Sequence, residues 1–427
     1  MHQNQVLIIG SVWPEPKSSA AGIRMMELIN LFGSKGWQVS FASPAADSLY
    51  ATDLNAIEVN KIRIKINDSG FNEIVKNIKP SIVIFDRFII EEQFGWRVSE
   101  VCPNALRILN TEDLHCLRRG RHKAVKELFQ FKTEDLLNSN DAKREIASIL
   151  RCDLSLVISR YEMRILQNLF KVSKNLLHYF PFISDKIIDT ERISWPSFLK
   201  RQHFMTIGNF LHEPNLDSVL YLQRVIWPLI REQLPEAELH VFGAYPPAKV
   251  LLLNNPEEGF YIKGRIADAY AVMQNSRVCL APLRFGAGLK GKLFEAMRCG
   301  TPSVTSHIGA EGMHHKLPWN GFIEDEPIKF AAKAVKLYTN ELIWNNAQNN
   351  GVKIVNECFN KEDILLNLIN KLDEVRLNLK ERRLKNFTGA MLMHHTMAGT
   401  KYMSRWIEAK NSIESESSNI NFLDDTE

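Results

Sequence analysis

The stretch from Ala281 to Gly312 concentrates residues suited to gripping an anion. Its centre reads Gly286-Ala287-Gly288-Leu289-Lys290-Gly291-Lys292, followed at once by Leu293-Phe294-Glu295-Ala296-Met297-Arg298. Glycine lets a backbone approach phosphate oxygens with no Cβ in the way. The unpaired N–H groups in the first turn of a helix carry partial positive charge. Lys290 and Lys292 add two full charges beside them, so a diphosphate fits the chemistry of this segment. Glu295 lies about one turn into the following helix, where a carboxylate can accept both hydroxyls of a ribose or merely complement the helix dipole. Gly286, Gly288, Leu289, Lys290, Gly291, Lys292 and Glu295 are therefore candidates to bind a diphosphate and a ribose, joined by Arg284 just upstream, and Lys290 and Glu295 are also candidate catalytic residues.

These residues need a strand to deliver them and a helix to aim them. Val278–Ala281 reads as a buried strand, Pro282-Leu283-Arg284-Phe285 as the exit from its carboxyl end, and Lys290–Cys299 as a helix stopped by Gly300 and Pro302. Ligands of open α/β sheets bind at the carboxyl ends of strands. Gly286-x-Gly288-x-x-Gly291 also matches a dinucleotide fingerprint, but there the first glycine ends the strand directly and an acidic residue closes the next one. Here four residues intervene and Ser303-Val304-Thr305 runs into Ser306-His307, so a dehydrogenase fits poorly.

Across the whole chain, short apolar runs alternate with amphipathic segments, which predicts parallel sheets covered by helices. Strands are expected at Val6–Gly10, Val39–Ala42, Ile82–Asp86, Leu106–Asn110, Leu154–Ser159 and Leu176–Tyr179. A second set is expected at Phe204–Gly208, Glu238–Phe242, Phe260–Lys263, Val278–Ala281 and Pro302–Thr305. The proline- and serine-bearing stretch from Pro181 to Arg201 interrupts the rhythm. The expected layout is a Rossmann-like domain over residues 1–185, another over 186–380, a helix over 381–410 crossing back to the first, and an acidic, unstructured tail over 411–427.

At 427 residues, with 45% hydrophobic and 24% charged side chains, the chain can bury two cores. The net charge of +4 tolerates an anionic ligand without singling out nucleic acid. No apolar run is long enough to span a membrane, and the opening Met1-His2-Gln3-Asn4 runs straight into Val6-Leu7-Ile8-Ile9, which reads as a strand rather than a signal peptide. Six scattered cysteines and twelve histidines show no zinc spacing, so no metal and no cofactor is expected. A cytoplasmic protein is the expectation.

The string Pro282 to Pro302, with Gly309-Ala310-Glu311-Gly312 after it, resembles the donor-site signature of glycosyltransferase family 4. Ile207-Gly208-Asn209-Phe210-Leu211-His212-Glu213-Pro214-Asn215 is similar to that family's first strand and loop of the C-terminal domain. Pro14 to Gly22 resembles its N-terminal glycine loop. The resemblance implies a GT-B fold: α/β, two facing Rossmann-like domains with a helical C-terminal segment and an active site between them. It implies retaining transfer of a sugar from a nucleoside diphosphate sugar to a glycan, lipid-linked or small-molecule acceptor, without a bound metal. It adds Gly208, Asn209 and Asn215 to the donor site. Two departures stand out: Ala287 replaces the first of a pair of glutamates, and Asn209, His212 and Asn215 stand where an arginine and a lysine are common.

In the first half, Leu109 to His115 follows a strand and so points at the cleft. By resemblance His115 sits near the transferred sugar as a candidate catalytic residue; a capping or packing role is the alternative. Asp113 and Arg118 are candidate acceptor contacts, and Gly22 and Arg24 are candidates to meet the donor from the opposite domain. The basic run Arg118-Arg119-Gly120-Arg121-His122-Lys123 is either a solvated helix face or a surface for an anionic acceptor or the inner face of a membrane. An epimerase sharing the cleft and a non-catalytic nucleotide-sugar-binding subunit are the competing functional readings.

Overall fold

The computed structural model describes residues 4–421. Seven strands form the first sheet: β1 (Gln5–Ile9), β2 (Gln38–Ser43), β3 (Asn60–Arg63), β4 (Ile82–Asp86), β5 (Leu106–Asn110), β6 (Leu154–Val157) and β7 (Leu177–Tyr179). Six form the second: β8 (Gln202–Ile207), β9 (Leu239–Phe242), β10 (Phe260–Gly264), β11 (Ser276–Ala281), β12 (Ser303–Thr305) and β13 (Gly321–Ile323). The orders are β3-β2-β1-β4-β5-β6-β7 and β10-β9-β8-β11-β12-β13, and the pairings are parallel throughout.

Strands buried on both faces explain the continuous apolar runs. Along β1, Val6 and Ile8 enter the core on one side of the sheet and Leu7 and Ile9 the core on the other. In each sheet the strand order reverses once, between β1 and β4 and between β8 and β11, which opens a crevice at the carboxyl ends of those strands. The expected strands are all present. The two extra ones, β3 (Asn-Lys-Ile-Arg) and β13 (three residues), are short edge strands whose sequence carries little apolar signal.

After β8 the chain forms an α-helix Glu213–Tyr221, a π-turn Leu222–Ile226 and a second α-helix Trp227–Gln233. Pro228 has no N–H to bond the carbonyl of Arg224, so the helix widens where a regular turn cannot continue.

The C-terminal crossing comes earlier than residue 381. Ser184 N–H donates to the Phe359 carbonyl at 2.8 Å and Lys361 N–H to the Ser184 carbonyl at 2.9 Å. The helix Lys361–Leu377 then buries Leu368, Leu372 and Val375 in the core of the first domain, alongside Val6 and Ile8. The final helix, Phe387–Asn421, extends this attachment: Arg97 Nη2 donates to Ser404 Oγ at 3.2 Å. The predicted unstructured tail is thus helical over 411–421, and residues 422–427 lie outside the described residues.

Candidate active site

Helix Gly291–Arg298 starts where the loop from β11 ends, and no side chain caps it. Its loop is shaped by two glycines in conformations that side chains rarely adopt, Gly286 at φ 154° and Gly288 at φ 63°. The loop faces the first domain across a cleft of about 800 Å³. Gly208, Asn209, Asn215, Gly286, Gly288, Leu289, Lys290, Gly291, Lys292 and Glu295 line this cleft, with Gly22, Asp113, His115 and Arg118 on the opposite wall.

The polar groups on the second-domain wall are largely unspent. Among the described residues, Lys292 and Glu295 have no hydrogen-bond or ion-pair partner, yet both are half-buried. Burial pushes the Glu295 carboxyl up to about 7. It pulls the Lys292 ammonium down to about 8. Lys290 is buried, and its Nζ donates to the carbonyls of Ala287 at 3.1 Å and Gly288 at 2.7 Å. Burial, only partly offset by Glu311, brings it down to about 8 as well. Asn215 Nδ2 donates to the Asn209 carbonyl at 2.9 Å, and a Cβ on Gly208 would lie 2.6 Å from the Asn215 side chain. That loop can be held so tightly only with glycine at 208.

The first-domain wall is already paired. Asp113 is gripped by Arg118 and lies 3.4 Å from His115 Nε2. Burial alone would raise the Asp113 carboxyl, but Arg118 and His115 outweigh it and hold it below the usual carboxylate range. Burial brings His115 down to about 4, so its imidazole is neutral near pH 7. His115 Nδ1 is buried without a partner, and the ring meets Phe88 edge-on. Asp86 and Arg87 pair at 3.1 Å beside them.

Several contacts across the cleft were not visible in the sequence. Glu162, at the start of the helix that follows β6, accepts from Leu114 N–H at 2.9 Å and from Gly288 N–H at 2.8 Å, so one carboxylate fixes a loop of each domain. Burial, reinforced by Asp113, raises it to about 8. Its position just beyond a strand end was the available signal. Arg121 donates to the Gly286 carbonyl at 2.9 Å and makes a two-pronged pair with Glu311 at 2.8 and 2.9 Å. His122 stacks on Phe285 with ring centroids 4.4 Å apart. Tyr245 donates to Glu15 at 2.9 Å on the far side.

Residues 201–340 match the model of the family described as Glycosyl transferases group 1. That segment resembles a glycosyl transferases group 1 domain. No curated protein matches its sequence. Its structure is similar to sucrose-phosphate synthase from Thermosynechococcus elongatus, at 16% identity and a TM-score of 0.64 over 87% of this chain and 99% of the other. It is similar to Anabaena Alr3699/HepE in complex with UDP-glucose, at 12% identity and a TM-score of 0.64 over 87% and 99%. A glycosyltransferase from Rickettsia africae follows at 12% identity and a TM-score of 0.61 over 88% and 99%. The fold is GT-B.

Arg284 does not serve the cleft. It is exposed on the outer surface, where its Nε donates to Asp217 at 2.9 Å and its guanidinium lies over Tyr221. Arg24 does not meet the cleft either: it is fully buried beneath the cleft floor. Its Nε and Nη2 donate to the Phe180 carbonyl at 3.2 and 2.8 Å, and its Nη1 to Asn110 and, at 3.0 Å, to Glu112. In the basic run, Arg118, Arg119, Arg121 and His122 are paired with Asp113, Asp141, Glu311 and Glu213; Arg121 is buried, whereas Arg119 and Lys123 are exposed to solvent.

Proposed function

We propose that this chain transfers a sugar from a nucleoside diphosphate sugar to a hydroxyl of a glycan, lipid-linked or small-molecule acceptor, with retention at the anomeric carbon. The observation that carries this reading is the uncapped helix start with Lys290, Lys292 and an unpartnered Glu295 on one wall of the cleft. The diphosphate belongs at the Gly286–Lys292 loop and the ribose hydroxyls at Glu295. Neighbouring folds solved with UDP and with UDP-glucose make UDP-hexoses the first donors to try.

Leaving-group departure builds negative charge on the diphosphate, and ammonium groups and N–H dipoles fixed in advance lower that barrier. As the bond from the anomeric carbon to the phosphate oxygen breaks, the acceptor oxygen bonds to the same face of that carbon. Its proton passes to the departing phosphate, so no protein nucleophile is required. His115, neutral and facing the cleft, contacts the transferred sugar; Asp113 and Arg118 border the acceptor side. No metal or other cofactor takes part in this reading.

No helix among the described residues is long and apolar enough to cross a membrane. A cytoplasmic enzyme meeting a lipid-linked acceptor at the inner membrane face is part of the proposal, and flotation with anionic vesicles tests that part. The main test is release of nucleoside diphosphate from a donor panel, with and without crude acceptor. Acceptor-dependent release with an unchanged anomeric configuration in the product supports the reading. Acceptor-independent release of free nucleotide points to an epimerase, and binding without turnover of any donor to a non-catalytic subunit.

A further inference from the structure

Far from the cleft, at the amino-terminal ends of β8 and β9, three ligating side chains converge. His240 Nε2 lies 2.7 Å and His203 Nδ1 3.4 Å from the same oxygen, Glu238 Oε2. The two imidazoles stack with centroids 4.4 Å apart. We propose that His203, Glu238 and His240 bind one zinc ion, two imidazole nitrogens and one carboxylate oxygen supplying three of four positions and water the fourth.

The platform is rigid. β8 and β9 are paired strands, with Phe204 N–H donating to the Glu238 carbonyl at 2.8 Å, and Glu238 and His240 share a face because they are two apart on a strand. His203 reaches that face by adopting φ 59°, a left-handed conformation uncommon outside glycine. Such strain persists where the surroundings repay it and concentrates at ligand sites. Ligands about 2.0–2.1 Å from a tetrahedral zinc stand roughly 3.4 Å apart. The His203–Glu238 spacing already has this value, and the His240–Glu238 hydrogen bond opens by well under 1 Å to reach it.

His203 and Glu238 remain about one-third exposed, 34% and 33%, and His240 is 18% exposed, leaving an entry path and room for the water ligand. Gly208 at the cleft lies five positions beyond His203, about 16 Å along the strand. The metal therefore braces the two strands and takes no part in sugar transfer.

Untagged protein, stripped with chelator, is dialysed against zinc, and the bound equivalents are counted beside a His203→Asn/His240→Asn double variant. The wild type is expected to hold one tight equivalent that the double variant lacks. Zinc should raise the melting temperature of the wild type only. Cobalt(II) in place of zinc should give the visible bands of a low-coordinate nitrogen and oxygen site, again in the wild type alone. Matching melting temperatures of the two metal-free proteins show that the variant folds. Equal zinc binding by both proteins, or no tight equivalent in the wild type, overturns the proposal.

Discussion

The two walls of the cleft are built on opposite electrostatic principles. On the second-domain wall Lys292 and Glu295 face the cavity without partners, and Lys290 is satisfied only by backbone carbonyls of its own loop. On the first-domain wall three carboxylates have side-chain partners: Asp113 with Arg118 and His115, Asp86 with Arg87, Glu112 with Arg24. An unpaired buried charge is tolerated where a ligand completes it; a paired one contributes shape and a few spare lone pairs. The unfilled wall is therefore suited to the charged diphosphate of a donor, and the self-satisfied wall to a polar acceptor bound through neutral hydroxyls.

Breaking either side separates the two roles. Lys290→Ala should cut kcat by about 100-fold or more, the scale seen when a group that stabilises developing charge is removed. Binding of a bare nucleoside diphosphate should weaken far less; steady-state kinetics alongside calorimetry would show the split. Arg24→Met strands Glu112 in the interior and should cost about 3–5 kcal/mol of stability in urea unfolding, a loss that tracks folding rather than donor affinity.

The pH profile sharpens the contrast. Glu295 must be ionised to accept ribose hydroxyls, and its raised value predicts that kcat/KM climbs through about pH 7. Lys290 and Lys292 must be protonated to meet the diphosphate, and their lowered values predict a fall above about pH 8. Glu295→Gln should abolish the acid limb and weaken donor binding about tenfold. At the small end, Arg284→Ala removes an exposed ion pair with Asp217 and should change stability by under about 1 kcal/mol, leaving kcat/KM untouched.

The sheets were legible because strands buried on both faces leave uninterrupted apolar runs, and the donor loop because glycine, lysine and glutamate recur at one strand end. Legibility failed where partners are distant in sequence. Arg284 reads as a phosphate ligand until Asp217, on a helix 67 residues earlier, is seen to hold it. Arg24 sits two residues from Gly22, about 200° around the same helix, so only one of them can face the cleft. Charge gives no hint that Arg121 clamps Glu311 and the Gly286 carbonyl. Three residues on two strands, His203, Glu238 and His240, escape any spacing rule because strand pairing, not chain order, brings them together.

The most direct measurement is a crystal structure with a nucleoside diphosphate sugar bound. The account predicts phosphate oxygens within hydrogen-bond distance of backbone N–H groups in the Gly286–Lys292 segment and of Lys290 Nζ, with Glu295 on the ribose. A ligand seated elsewhere, with that segment unengaged, would contradict it.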